Sequence, residues 1–305
     1  MQCELKDQTE VFKTFKHQSN SLVLSSLKNF YKPVVSKGFA LKYVIHGLER
    51  YVLNDKGFNV TSGKYLLSNC EALGSVEIES KRNVDGICIN ILPEILAEVV
   101  ASLNRPDTAF SDVELGNYFS SSMFLENMYD ANHTNVGRLL FALQHRIRKD
   151  EFSDGHFDLD FFYGVSEAIV SDQIPVFKKL QEIPSIKPVT KKELYRSVTK
   201  GKEFIDATFL SNLSISMISK EAGMSDYHFF RLFKTVFKQS PKQYIIQKRL
   251  KFAYDLLLKE RITISQLAIE TGFSDIHAFS KAFKNQYGVS PSTFFDTKLA
   301  GFDKK

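Results

Sequence analysis

Cysteine is scarce. The chain has three in 305 residues, Cys3, Cys70 and Cys88. An odd number at wide spacing excludes a disulfide framework and a cysteine-rich zinc module, and it fits a reducing compartment. No run of about 18 apolar residues occurs, so no membrane span is expected. The opening MQCELKDQTE lacks a basic segment leading into an apolar one, so no signal peptide is expected. Histidine offers no metal site either: only His46 falls within the candidate strands, with His17, His133, His145 and His156 outside them. No H-x-H or Cys/His cluster is present, so neither a metal nor another cofactor is expected. A glycine-rich phosphate loop and a nucleophile elbow are also missing. An enzyme is therefore not expected.

What is present is ordinary in bulk and uneven in detail. Hydrophobic residues make up 43% and charged residues 25%, the balance of a globular chain long enough for two domains. The net charge is +5, but it is not evenly spread. Residues 190–305 carry 20 Lys and Arg against 11 Asp and Glu, while residues 1–189 carry 20 against 24. A basic C-terminal third on an acidic body suits a polyanionic partner.

Residues 39–69 read as short strands separated by turns: FALKYVIH, LERYVL, the turn NDKG, FNV, the turn TSG, and KYLLSN. SVEIES and GICINIL extend the series to Leu92. The spacing suggests a small β-sandwich or barrel, with strands over about 20–92 and helices over about 93–180. In VGRLLFALQHRIRK, Val136, Leu139, Leu140, Leu143 and Ile147 fall on one helical stripe. That stripe suits either pairing with a second copy or covering the β core. Pro175, Pro184 and Pro188 punctuate IPVFKKLQEIPSIKPVTKKE, which reads as a linker. The expected domains are therefore 1–185 and 191–305, joined by 186–190.

The C-terminal part reads as all helix and contains a duplication. SISMISKEAGMSDYHFFRLFK and TISQLAIETGFSDIHAFSKAFK share one plan. A short helix reaches Gly223 or Gly272, where glycine permits a sharp turn, and the chain restarts at a small polar cap, Ser225 or Ser274. This is helix–turn–helix chemistry, expected over about 213–238 and 262–287. Phe229 and Phe233, or Phe279 and Phe283, lie four apart and fill the space between helices. The opposite faces carry Tyr227, Phe230, Arg231 and Lys234 in the first copy, and Ile276, His277, Ser280, Lys281 and Lys284 in the second. The copies are offset by 49 residues up to His228/His277 and by 50 from Phe233/Phe283, which places an inserted residue early in the second copy's second helix. Between them PKQYIIQKRLKFAYDLLLK reads as a helix over 241–259. Nineteen residues span roughly 28 Å, close to the ~34 Å of one DNA turn. Such a spacer sets two recognition helices in successive major grooves of double-stranded DNA.

These stretches, with YGVSP at 287–291, resemble the DNA-binding domain of AraC/XylS-family bacterial transcription regulators. The 39–69 region resembles, less specifically, that family's cupin-like sensor barrel. The resemblance implies an α+β chain: a cupin-like β-barrel or sandwich with flanking helices, then an all-α domain with two helix–turn–helix units. It implies a cytoplasmic, nucleoid-associated regulator, an activator working with RNA polymerase, with a small-molecule effector and a homodimer through the N-terminal domain among its further partners. The family's base-reading positions fall on Tyr227, Phe230, Arg231, Ile276, His277, Ser280 and Lys281. Lys234 and Lys284, with the cap residues Ser225 and Ser274, are assigned to phosphates, which position without reading sequence. Phe230 and Ile276 depart from the polar residues common there. Lys238 stands where the second copy has Gly288, at a left-handed helix end costing about 1 kcal/mol. An effector pocket is assigned to Leu41, Tyr43 and Ile45, or to the opposite parity of that strand; the same side chains equally suit a filled core. A cupin-type enzyme tethered to a DNA-binding tail is the alternative from another class.

Overall fold

The computed structural model describes residues 13–17, 19–35, 38–102, 111–149, 157–185, 187–259 and 262–295. Cys3 and His156 lie outside the described residues. The chain divides into two compact units, Met1–Lys178 and Lys179–Lys305.

The first unit is built on an eight-stranded antiparallel sheet: β1 (Lys13–His17), β2 (Asn20–Val35), β3 (Phe39–His46), β4 (Leu48–Leu53), β5 (Lys56–Thr61), β6 (Lys64–Ser68), β7 (Leu73–Ile91) and β8 (Asn127–Asp130). The strand order is β1-β2-β7-β3-β6-β8, with β4 paired to β7 and β5. Among the described residues the sheet stays open at β1 and β8. It is the barrel-like half of an α+β fold. β1 precedes the expected start of the strands and ends on His17, a histidine read as lying outside them.

SVEIES and GICINIL, expected as separate strands, belong to one 19-residue strand, β7. Its first half pairs with β4, its second half with β3, and β2 runs beside both. A register shift between Leu27 and Asn29 absorbs the polar stretch Ser80–Asn83, which interrupts the apolar pattern. The β4–β5 hairpin closes on Asn54 and Asp55, both at positive φ (50° and 63°), the backbone that matches strand twist.

Both faces of β3 are covered, so hydrophobic alternation is lost along it. On one face Val44 joins Leu27, Tyr51, Leu53, Val60, Leu66, Val76, Ile78 and Val84 in a core. On the other, Leu41 and Ile89 meet Val136, Leu140 and Leu143 of α3 (Asn135–Arg148). Phe39 packs edge-on against Phe119 and Phe124. The α3 stripe thus covers the sheet through Val136, Leu140 and Leu143, whereas Leu139 is 40% exposed. α1 (Pro93–Ser102) and α2 (Asp112–Ser120) precede it, the latter opening on a capping box between Ser111 and Glu114. α4 (Leu159–Glu182) carries Pro175 inside it, so the helix continues through the first half of the stretch read as a linker.

The second unit begins in the last turn of α4 and continues through α5 (Pro188–Thr208), α6 (Ile215–Glu221), α7 (Asp226–Phe237), α8 (Pro241–Lys259), α9 (Ile264–Glu270) and α10 (Ile276–Tyr287). Pro188 occupies the first turn of α5, where its missing N–H costs nothing. Two aromatic cores repeat the duplication. Phe229 and Phe233 are fully buried in one, and Phe279 and Phe283 in the other. Gly201 of α5 allows close approach to α7: a Cβ there would lie 2.4 Å from the Phe229 ring. Leu250, Ala253 and Leu257 of α8 close the second core.

Candidate nucleic-acid interface

Each helix–turn–helix is fixed by caps and by one left-handed residue. α6 opens on Ser214, whose side chain accepts from the Met217 amide, and α9 opens on a capping box between Thr263 and Gln266. Gly223 (φ 68°) and Gly272 (φ 75°) make the turns, a backbone that side chains resist. Ser225 caps α7 by accepting from the His228 amide. In the second copy the cap is Asp275, accepting from Ala278, rather than Ser274, whose hydroxyl donates to Asp275. That amide holds the Asp275 carboxyl below its usual range, with Ser274 assisting.

The inserted residue therefore lies in the turn, not in the helix. Two residues after the glycine reach the cap in the first copy; three are needed in the second. From the caps onward the offset is a constant 50, so Tyr227 corresponds to His277, Phe230 to Ser280, Arg231 to Lys281 and Lys234 to Lys284. Ile276 corresponds to Asp226, in the first turn of its helix.

With the phenylalanines turned inward, the opposite faces of α7 and α10 turn outward. Tyr227 is 70% exposed and Phe230 40%; Arg231 and Lys234 are exposed beside them. On α10, Ile276, His277, Lys281 and Lys284 are exposed and Ser280 is half-buried. Tyr227 and Arg231 form a pair that spacing alone did not single out. The Arg231 guanidinium lies 5.5 Å from the Tyr227 ring centre, and its Nη1 donates to the Tyr227 hydroxyl at 3.3 Å. The i,i+4 separation was the available signal. Lys238 ends α7 in the left-handed region (φ 59°) where Gly288 ends α10 (φ 80°), and it reaches Glu182 at 2.7 Å.

α8 holds the two copies through polar contacts that sequence reasoning missed. Asp206 of α5 accepts from Tyr244 at 2.7 Å and pairs with Lys248 at 2.9 Å and Lys202 at 2.6 Å. Burial works to raise the Asp206 carboxyl, and these three donors outweigh it, leaving the group below its usual value. Arg249 donates Nε to the Phe209 carbonyl and Nη2 to the Ser211 carbonyl, both at 2.7 Å, and Nη1 to the Gly272 carbonyl. A lysine- and arginine-bearing spacer helix reads as solvated, so nothing in the sequence marked Arg249.

In the first unit, Leu41 and Tyr43 are buried on the helix-covered face of β3, where the Tyr43 hydroxyl donates to Gln144 at 3.0 Å. Ile45 lines a cavity of about 300 Å³ with His46, Gln144 and Arg148. A larger cavity of about 390 Å³ opens on the opposite parity, at Lys42, among Val23, Leu27, Val76 and Ile78. Lys42 Nζ donates to the Cys88 sulfur at 3.1 Å and lies 5.6 Å from the Tyr51 ring centre. Tyr51 donates to the buried Glu49 carboxylate at 2.6 Å. Burial pushes Glu49 up, against the Tyr51 hydrogen bond and the Lys42 charge. Among the described residues no group of three or more His, Cys, Asp or Glu is placed to hold a metal, and no helix is long and apolar enough to cross a membrane.

A pair of capped helix–turn–helix units, outer faces basic and inner faces aromatic, joined by one helix, defines a DNA-binding domain. Residues 218–297 match the family model described as a helix-turn-helix domain. The chain is 37% identical over 97 residues to the Msm operon regulatory protein of Streptococcus mutans, covering 32% of this chain and 35% of that protein. It is 28% identical over 141 residues to the HTH-type transcriptional regulator ExsA of Pseudomonas aeruginosa, covering 42% and 51%. The match thus spans a third to a half of the length of these relatives. Among solved structures, ToxT of Vibrio cholerae aligns over 92% of this chain and 98% of its own, at 13% identity and a TM-score of 0.38.

Proposed function

We propose that the chain is a sequence-specific DNA-binding regulator of transcription, an activator of the AraC/XylS type, with α7 and α10 each entering one of two successive major grooves. One observation carries this reading: two helices present matched exposed faces while identical phenylalanine pairs anchor their backs, and a 19-residue helix, α8, joins them. The names of the relatives, an operon regulatory protein and a transcriptional regulator, support it.

Arg231 and its partner Tyr227 are the leading base readers of α7. A guanidinium suits guanine O6 and N7, and an exposed tyrosine or Phe230 suits thymine methyls. His277, Ser280 and Lys281 read on α10, with Ile276 at its first turn. Lys234, Lys284, Ser225 and Ser274 meet phosphates. Arg231→Ala is expected to cost about 1–3 kcal/mol of specific binding and to relax preference at one base pair. Binding to a panel of single-base variants checks this; a loss equal across the panel would make Arg231 a phosphate contact.

The effector of this reading binds in the Lys42 cavity, since apolar side chains such as Val23, Leu27, Val76 and Ile78, with the ammonium groups of Lys32 and Lys42, suit an apolar molecule carrying an anionic group. Binding there shifts the DNA-bound state only to the extent that the effector favours it. Compounds of that class are expected to raise the melting temperature of the wild-type chain and not of Lys42→Met. Equal shifts in both proteins would remove the effector from this cavity. RNA polymerase and a second copy of the chain are the remaining partners of this reading.

A further inference from the structure

The side chain that touches both halves of the DNA-binding unit faces no recognition surface. Arg249 sits in the middle of α8, half-buried, and its three donors reach three backbone carbonyls. Phe209 and Ser211 follow the last residue of α5, just before the first helix–turn–helix. Gly272 is the turn residue of the second, just past Thr271, which ends α9. Both sets of carbonyls therefore lie at helix C-termini, where oxygens lack intrahelical partners and the helix dipole is negative. A planar fork with fixed donor directions fits three such acceptors; a flexible ammonium cannot satisfy all three. The two backbones also meet directly: a Cβ on Gly272 would fall 2.8 Å from the Leu210 carbonyl oxygen and 2.9 Å from Arg249 Cζ. Burial lowers the Arg249 guanidinium below its usual range.

We propose that Arg249 is a positioning residue for DNA recognition: it caps α5 and α9 together and thereby sets the spacing and angle at which the two recognition helices meet the duplex. This rests on the DNA-binding reading above. Each helix–turn–helix has its own aromatic core and caps, so each folds around its own contacts. The Asp206 cluster ties α5 to α8, and the Leu250–Leu257 stripe ties α8 to α9 and α10. Arg249 couples the two attachments at one point, the α5 exit and the second turn. Without that fork the second unit is free to shift against the first. The chain then still grips one DNA element but loses the advantage of presenting two at a fixed separation.

The test uses the full-length wild-type chain to select duplexes from a randomised library, then measures affinity for the selected duplex, for the same duplex with one base pair inserted between its elements, and for one element alone. Wild type is expected to lose affinity about tenfold on insertion, and Arg249→Lys to bind the selected duplex about tenfold more weakly, lose little further on insertion, and match wild type on the single element. An Arg249→Lys chain that melts like wild type and keeps its spacing preference overturns the proposal. So does an equal loss on the single element, which marks a merely structural arginine. Should Arg249→Lys fail to fold, the wild-type insertion series decides, and indifference to the inserted pair overturns the proposal. A wild-type chain that enriches no duplex overturns the DNA-binding reading itself.

Discussion

Lys238 shows how one backbone angle separates the two copies. It holds φ 59° where Gly288 holds 80° in the second, and a side chain in that region is strained by about 1–2 kcal/mol. Its ion pair with Glu182, with both side chains substantially exposed, returns less than that. Lys238→Gly is therefore expected to stabilise the chain by about 0.5–1 kcal/mol, measured by denaturant titration. Destabilisation would show that the ion pair outweighs the strain. Arg231 belongs to this scale too. Its guanidinium lies over the Tyr227 ring and donates to the Tyr227 hydroxyl, which narrows its conformational freedom.

Among the elements, α8 is held to the α5 segment by hydrogen bonds to a carboxylate and by the edge-on packing of Phe252 against Phe209. Asp206 gathers Tyr244, Lys248 and Lys202, and its carboxyl lies below the ordinary 3.8. A carboxylate depressed in the folded state adds stability that is complete above its unfolded value and lost as pH falls through the folded one. Asp206→Asn is expected to cost about 1–3 kcal/mol at neutral pH and to shrink the difference from wild type as the solution is acidified below the ordinary carboxylate range. Melting curves across that range check it; a difference constant with pH would assign the loss to packing. The turn between α9 and α10 belongs here as well. One extra residue before the Asp275 cap sets the phase of α10 so that Phe279 and Phe283 point inward.

At the scale of the whole molecule, legibility divides by unit. The duplication, the phenylalanine anchors, the 241–259 spacer and the outward faces were readable because a glycine turn, a polar cap and phenylalanines four apart, twice in one chain, specify a helix pair with a buried seam. The α10 cap was not, because Ser274 and Asp275 are adjacent and both cap well; only the inward phase of Phe279 decides between them. In the first unit the cavity-facing parity of β3 was hidden, since Phe39, Leu41, Tyr43 and Val44 are all buried and alternation vanishes when both faces are covered. The continuity of β7 was masked by the polar Ser80–Asn83, and the α4 helix by Pro175, which reads as a break. Arg249 left no trace because its partners are backbone carbonyls, which the sequence does not spell out.

Two unlike recognition helices, held by one spacer, should read two unlike DNA elements about one turn apart. Selection from a randomised duplex library by the full-length chain, with sequencing of the enriched pool, puts this to the test. An asymmetric site per protomer is expected, its two elements differing in sequence, with centres about 10 base pairs apart. Enrichment of one element alone, or of two identical elements within a protomer's site, would contradict it.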